Sequence, residues 1–543
     1  MQNKILFIAL GFLISFSAMA QRDTTQSITI TSSYKPVLRY ASKINFSGTA
    51  LQSDTEKNVA PYHIPAQNLF YAYRPISLKP LALQMDTNLY LGNRNYVKAG
   101  FGSYSTPFAD VGFSLGDGKQ YLLNLTGNYI GSKGKDIEHQ DYAQMNLEAA
   151  GSYFKAGQEF YGSLSFSKND YNLYGYDHNI YQYTKSDIAQ KFQDVTIRAG
   201  VKNNTEGPFG IHYDPNIELS FFSNIDHVRE RNLKINLPVQ KFINEIFSAK
   251  LEVNADLSSY TTRGIIPNNY SYDNNAISIS PSIQFTKSFL YLNAGVTPVF
   301  AKGKSTILPN IFGEIHVQDQ AFIIQAGLVG NYIKNTYQYL SSVNPYILNA
   351  NTPHNTIETE IYGGIKTSAG KHLVFNAKLG FVTYKDLALF INDTAFDNKG
   401  FIVSNEKSVN NLRIHGSITY LLQDKLSMNA ALTLNGYTGL QSNARAWGTL
   451  PMEAKGNVSW WPIKKLMLKG DIYMFGLTKY LAKGNIPNDE QGGSDLSLGA
   501  VYKINKQFSA WLDANNVFND KYQRWHGYPV YGFNVMAGIL IRF

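Results

Sequence analysis

Tyr531-Gly532-Phe533-Asn534-Val535-Met536-Ala537-Gly538-Ile539-Leu540-Ile541-Arg542-Phe543 is the stretch on which the fold turns. Its odd positions, Tyr531, Phe533, Val535, Ala537, Ile539, Ile541 and Phe543, form an unbroken apolar series. Its even positions are Gly, Asn, Met, Gly, Leu and Arg. A repeat of two marks a strand, in which alternate side chains share one face. A terminal strand with one wholly apolar face and a final Phe is expected in the wall of an outer-membrane barrel, where that face meets lipid.

The amino end points to the same compartment. Lys4 precedes an apolar run from Ile5 to Phe16, followed by Ala18-Met19-Ala20 and Gln21. This is the pattern of a secretory signal peptide over residues 1–20, with a small-x-small cleavage site. A membrane anchor is the other reading, but the run is short for a span. The residue after Ala20 is not Cys, so a lipoprotein is not expected. The chain of 543 residues contains no Cys at all, which excludes disulfides, thiolate metal sites and a thiol nucleophile.

Composition narrows the class. Tyr (37), Phe (32) and Gly (43) are abundant, as barrels require for aromatic girdles and crowded positions. The mean hydropathy of −0.23 and the lack of a second apolar run of about 20 residues argue against a helical membrane protein. The net charge is +9, yet Lys and Arg are scattered, mostly singly, and form no basic stripe, so nucleic acid is not an expected partner.

Alternation recurs from about residue 95 onward. Tyr121, Leu123, Leu125, Gly127 and Tyr129 oppose Asn124, Thr126 and Asn128; Ala249, Leu251, Val253, Ala255 and Leu257 oppose Lys250, Glu252, Asn254 and Asp256; Phe508, Ala510, Leu512 and Ala514 oppose Ser509, Asp513 and Asn515. A soluble sandwich would alternate too, with its apolar face inward. The signal peptide, the terminal Phe and the number of long strands favour apolar outside and charge inside.

Short turns fall at Gly116-Asp117-Gly118-Lys119, Lys155-Ala156-Gly157, Glu206-Gly207-Pro208, Asn244, Lys287-Ser288, Asp319-Gln320, Ala369-Gly370-Lys371, Gln423-Asp424-Lys425, Ile463-Lys464-Lys465 and Ile504-Asn505-Lys506. Between them lie longer polar stretches at 170–188, 336–353, 387–407, 481–492 and 520–531. Short periplasmic turns alternating with long outside loops are the barrel pattern, and ten such turns give about 22 strands over 95–543. The pair of strands around 209–240 is the least clearly marked. The expected fold is therefore all-β: a large antiparallel transmembrane β-barrel, preceded by a short extended segment, 21–94.

One segment carries a family resemblance. Asn516-Val517-Phe518-Asn519-Asp520-Lys521-Tyr522, followed by Gly527-Tyr528-Pro529-Val530-Tyr531-Gly532, resembles the end of TonB-dependent outer-membrane receptors. Ser27-Ile28-Thr29-Ile30-Thr31 loosely resembles their energy-coupling box. The resemblance implies uptake of a scarce or bulky solute and an inner-membrane energy-coupling partner. It also implies a plug domain of well over about a hundred residues, whereas here only 21–94 precedes the first strand. That segment is punctuated by Pro36, Pro61, Pro65, Pro75 and Pro80, each restricting the backbone and lacking a donor. A reduced or absent plug is expected, with 21–94 partly filling the lumen or recruiting a sealing partner. A passive pore, or a structural partner of another envelope protein, is the alternative. Outer-membrane lipid and the barrel-assembly machinery are expected partners in either case, and no cofactor is expected.

Candidate sites are few. Tyr171, Tyr174, Tyr176, Tyr181 and Tyr183, with Asp177 and His178 between, make an outside stretch whose aromatic faces would suit a sugar or peptide ligand. The bland alternative is loop packing. Asp136, Glu138, His139 and Asp141 include metal-ligand types, but a solvated acidic loop explains them. His415 and Ser417 share a face with Arg413 and Thr419; an activated nucleophile would need a carboxylate or carbonyl to orient the imidazole, and lining of the lumen suffices. Trp460-Trp461-Pro462, before Lys464-Lys465, fits an interfacial anchor. No catalytic constellation emerges, so an enzyme is not expected.

Overall fold

In a computed structural model, residues 95–543 are described except 205–208, 263–269, 318–321, 349–353, 371, 396 and 423–424. The signal peptide 1–20, the segment 21–94 and the Ser27–Thr31 run lie outside the described residues.

The chain is a closed antiparallel barrel of 22 strands. The expected short turns at Gly116–Lys119, Lys155–Gly157, Asn244, Lys287-Ser288, Ile463–Lys465 and Ile504–Lys506 sit at strand junctions, as at Gly116/Tyr121, Lys155/Gln158 and Lys503/Phe508; those at 206–208, 319–320, 369–371 and 423–425 fall wholly or partly outside the described residues. Closure is direct: the first strand, Tyr96–Gly102, pairs with the last, Asn534–Arg542, from Tyr96↔Arg542 to Gly102↔Met536. Two strands are interrupted without change of register. Ile211–Tyr213 and Asn216–Asn224 both pair with Arg229–Phe242, as Ile211↔Lys241 and Asn216↔Asn236. The break falls at Asp214-Pro215, where proline has no N–H to give the ladder. Tyr270–Asp273 and Ala276–Lys287 likewise share the partner Phe247–Thr262. The first of these breaks explains why the 209–240 region reads poorly as alternation.

The apolar face points outward. Ile539 and Phe543 are 54% and 58% exposed, and Phe533 is exposed with them. Leu125, Leu164, Ile197, Leu251, Ile283, Ile311, Leu379, Ile414, Leu432 and Leu512 continue an exposed apolar belt around the barrel. Such a surface is stable only against hydrocarbon. Trp460, also exposed, sits before the Lys464-Lys465 turn, and the ladder to the next strand slips between Trp460 and Ile463.

The expected loop at 387–407 is not a loop. Strands Leu373–Asn392 and Phe401–Leu422 continue to pair as far as Asn392↔Phe401, leaving only 393–400 as connection. They rise well beyond the roughly 9–11 residues needed to cross lipid. Apolar side chains fall on both faces here, in the runs Leu387–Ile391 and Phe401–Val403, so alternation fades once no face meets lipid. The stretch 481–492 likewise contributes to a separate two-stranded hairpin, Thr478–Ala482 with Ile486–Glu490.

The inward face is less uniformly polar than alternation suggests. Trp511, Met467, Val501, Met536, Leu540 and Ile130 form a buried cluster inside the seam. The Lys98 ammonium lies 4.1 Å from the Trp511 ring and 3.6 Å from the Asp513 carboxylate. Met536 and Leu540, on the even face of the terminal strand, are the sequence trace of this cluster.

Candidate functional site: an aromatic lid above a charged lumen

The inward rows carry ion pairs across strands. Lys202 meets Glu159 at 3.0 Å, Lys366 meets Glu314 at 2.5 Å, and Arg198 and Lys234 both meet Glu218. Arg413 lies 3.6 Å from Glu358 and 3.8 Å from Glu360. Near the periplasmic turns a polar cavity of about 300 Å³ is lined by Asn124, Glu148, Glu159, Tyr161, Arg198 and Lys202, among others. Away from that cavity, His415 lies on the inward face: its Nδ1 lies 2.9 Å from Thr433 Oγ1, while neighbouring Leu412, Ile414 and Ile418 are exposed on the lipid side.

At the outer end, four connections fold together. The end of Gln158–Asn172 and the stretch after it supply Tyr171, Leu173, Tyr174, Tyr176 and Ile188; that after Phe322–Ile333 supplies Tyr337, Leu340, Val343, Tyr346 and Ile347; the tip of the long hairpin supplies Phe390 and Phe401; and that after Phe508–Asn515 supplies Trp525 and Tyr528. All are buried in one cluster. Tyr528 stacks on Tyr346 with centroids 3.4 Å apart and meets Tyr174 edge-on at 4.9 Å. Trp525 packs edge-on against Phe390 and Phe401 at 5.2 and 5.4 Å.

Hydrogen bonds tie the connections pairwise. The Tyr528 hydroxyl donates to the Lys399 carbonyl. Phe401 N donates to the Tyr346 carbonyl at 3.0 Å, and Leu348 N to the Phe401 carbonyl at 2.8 Å. The Tyr174 hydroxyl and Gln140 Nε2 both donate to the Pro529 carbonyl, at 3.2 and 2.9 Å. The short helix Tyr337–Val343 is anchored at its start, where Tyr337 N donates to the buried Glu230 carboxylate at 2.6 Å. This satisfies one of the orphan donors of a helix terminus. The connection 439–451 is held by Glu406, which accepts from Gln441 N, Ser442 N and Asn443 N at 2.7–2.9 Å.

Two charged groups lie within these loops. Arg524 is 4% exposed; its Nη2 donates to the Gly448 carbonyl at 2.7 Å and its guanidinium lies 4.2 Å from the Trp525 ring. Burial pulls its pKa below the ordinary value. Burial pushes the Asp397 carboxyl up, but hydrogen bonds from Lys399 at 2.6 Å and Tyr183 at 2.5 Å outweigh it and hold the group below the usual carboxylate range.

The five tyrosines read as an outside ligand stretch are divided by the structure. Tyr171, Tyr174 and Tyr176 are buried within the lid, whereas Tyr181 and Tyr183 lie at its partly exposed edge, stacked at 6.1 Å. The void beside Tyr171 and Tyr174, lined also by Gln140, Tyr346 and Pro529, is about 30 Å³. That admits about one water molecule. The buried three are thus packing elements in this closed state, and a ligand reaches them only if the loops part. The residues 136–141 are drawn into loop contacts: Asp136 pairs with Lys521 at 2.5 Å and Asp141 with Lys185. No cluster of metal-ligand side chains occurs among the described residues. Trp525, Phe390 and Phe401 escape a sequence reading, since nothing local brings distant single aromatics together.

No family model and no curated protein matches the chain. Solved structures do. The FrpB iron transporter from Neisseria meningitidis superposes with a TM-score of 0.64 at 10% identity, covering 83% of this chain and 82% of that one. The ferric-catecholate import receptor Fiu from E. coli K12 gives 0.63 at 9% identity, covering 83% and 82%. The copper transporter OprC gives 0.61 at 13% identity, covering 83% and 80%. The barrel has the fold of the TonB-dependent receptors. At this level of identity the likeness is one of fold, and the TonB-dependent-receptor-like barrel places the chain in the outer membrane. The resemblance of 516–532 to that class agrees with the superposition. At the outer end of this barrel the aromatic loops interlock in one buried cluster.

Proposed function

We propose that the chain is an outer-membrane uptake receptor with two closures in series. The observation that supports this most is the lid: a dry, interlocked aromatic cluster across four connections, set above a lumen lined with ion pairs. A wide barrel serving free diffusion would carry a water-filled channel and need no such closure. A solute docks on the exposed edge at Tyr181 and Tyr183, and its contacts compete with those holding Tyr174, Tyr346 and Tyr528 together. Tyr171, Tyr174 and Tyr176 then become ligand-facing. The second closure is assigned to segment 21–94 or to a sealing partner that it recruits, displaced through an inner-membrane energy-coupling partner. Fold analogy to iron and copper transporters supports the uptake reading.

A ligand that binds the open lid must favour it by differential affinity. The test is a screen of the purified full chain against ferric catecholates, copper ions, cobalamin, oligosaccharides and peptides, read by trypsin cleavage after Arg524. One class is expected to accelerate cleavage at least tenfold while raising the melting temperature of the barrel. Uniform insensitivity to every class, with a steady ionic current through the barrel, would instead make it a passive pore.

A further inference from the structure

The wall is not bonded evenly. The hairpin of Leu290–Ala301 and Lys304–Val317 is complete within itself, pairing without a gap from Leu290↔Ile315 to Ala301↔Lys304. Its flanks are not. Towards Ala276–Lys287 the ladder stops at Ser282↔Gly295 and resumes at Ser278↔Val299. Pro281 and Pro298 fall in that interval and have no N–H to give. A side-chain bond spans it, Thr297 Oγ1 donating to Ser280 Oγ at 2.9 Å. Towards Phe322–Ile333 the ladder stops at Asn310↔Val329. Beyond that point Lys304–Pro309 pair with Val296–Ala301, and Gly330–Ile333 pair with Thr356–Thr359, but no ladder pair joins these two segments to each other.

Pro309 stands at the first missing step. There the strands touch without bonding: a Cβ added to Gly330 would lie 2.8 Å from the Leu308 Cβ and 3.0 Å from the Pro309 Cδ. Unpaired backbone is costly in hydrocarbon, so such an interruption marks a weak line in the wall. The strands here have 12 and 14 residues, little more than the roughly 9–11 that cross lipid. The tight turn Lys302-Gly303, both at positive φ, therefore ends the hairpin at the outer interface. Apolar side chains occupy both faces of this outer half. Val296, Phe300 and Ile307 are exposed outward, Ile307 at 71%. Val299, Leu308 and Val329, at 2–4%, are buried on the inner side, where Asn293, Asn310, Glu314 and Gln325 make the lower rows polar.

We propose that this hairpin is a lateral flap, whose outer half parts from Gly330 to pass the alkyl chain of an amphiphile between the outer leaflet and the lumen. Val299, Leu308 and Val329 receive the chain inside. A polar solute would lose its water between these apolar surfaces with no group to replace it, whereas an alkyl chain loses nothing. The inference rests on the uptake reading for its direction and gives that reading a substrate class, a long-chain amphiphile.

The natural chain has no Cys, so a disulfide between Leu308→Cys and Gly330→Cys locks this one seam. Their Cβ atoms need to part by about 1 Å to reach the ordinary disulfide separation of roughly 3.8 Å. The full chain is placed in phosphatidylcholine vesicles with a diazirine-bearing palmitate, photolysed, and its adducts mapped. Wild-type and reduced double-Cys protein are expected to carry adducts at Val299 and Val329. Oxidation should lower them at least fivefold, and reductant should restore them, with labelling of outward Val296 and Phe300 unchanged. Absence of inner adducts in the wild-type chain, or equal inner labelling of the oxidised and reduced forms, overturns the flap. Ligand-dependent cleavage after Arg524 reads the lid separately, so failure of the flap and failure of the uptake reading remain distinct.

Discussion

Tyr528→Ala is expected to speed trypsin cleavage after Arg524 by about a hundredfold or more. Arg524 is buried and cannot enter a protease until the loops part. Tyr528 is fully buried, stacks on Tyr346, meets Tyr174 edge-on and donates to the Lys399 carbonyl, so three connections lose a common partner at once. Large-to-small truncation of a buried aromatic costs about 3–5 kcal/mol. Because the cut requires only local opening, its rate follows the population of the open form. A loss of about 3 kcal/mol multiplies that population by more than about a hundred. The barrel itself should stay folded, as read by its anomalous migration on unheated gels. An unchanged cleavage rate would mean that the loops are held by something other than this cluster.

Gly538→Leu is expected to abolish the folded barrel. Gly538 pairs with Gly100 across the closing seam. A Cβ there would lie 1.9 Å from the Ala99 carbonyl oxygen and 2.6 Å from the Gly100 Cα. Neither obstacle is a side chain that can turn away. On the Gly100 side, Trp511 occupies the remaining space, its Cζ2 lying 2.3 Å from a Cβ built at Gly100. The first and last strands would have to separate, leaving unpaired edges in lipid at several kcal/mol for each unsatisfied group, on the order given for backbone in hydrocarbon. The folded band on unheated gels should fall below about a tenth of wild type, a loss of folded population worth more than about 1.4 kcal/mol. Ala537→Leu, one residue away on the exposed outward face, is the control and should fold. A folded Gly538→Leu protein would show that the seam does not close by this pairing.

What the sequence makes legible divides along one physical line. Wherever one face of a strand meets hydrocarbon, the solvent imposes a repeat of two, and the repeat can be read without neighbours. That is why the terminal strand, the turns at Gly116–Lys119 and Ile504–Lys506, and the count of strands emerge from residues alone. Where both faces meet water or protein, the repeat vanishes. Strands Leu373–Asn392 and Phe401–Leu422 outgrow their expected ends for this reason, and Thr478–Glu490 hides a hairpin inside an apparent loop. The lid is half legible. The tyrosine-rich stretch 171–183 stands out by composition, but aromatic rings serve packing and recognition equally well. Only the meeting of Tyr174 with Tyr346 and Tyr528, far apart along the chain, decides that three of the five are buried. Pro281, Pro298 and Pro309 give no such signal in the sequence, because their meaning depends on which strands they separate.

Single-channel conductance in planar bilayers tests the two-closure account most directly, using wild type, a chain lacking 21–94, Tyr528→Ala, and the two changes together. The account predicts little steady current from the first three and a large open channel from the fourth. A large steady channel after deletion of 21–94 alone, with the aromatic loops intact, would contradict it.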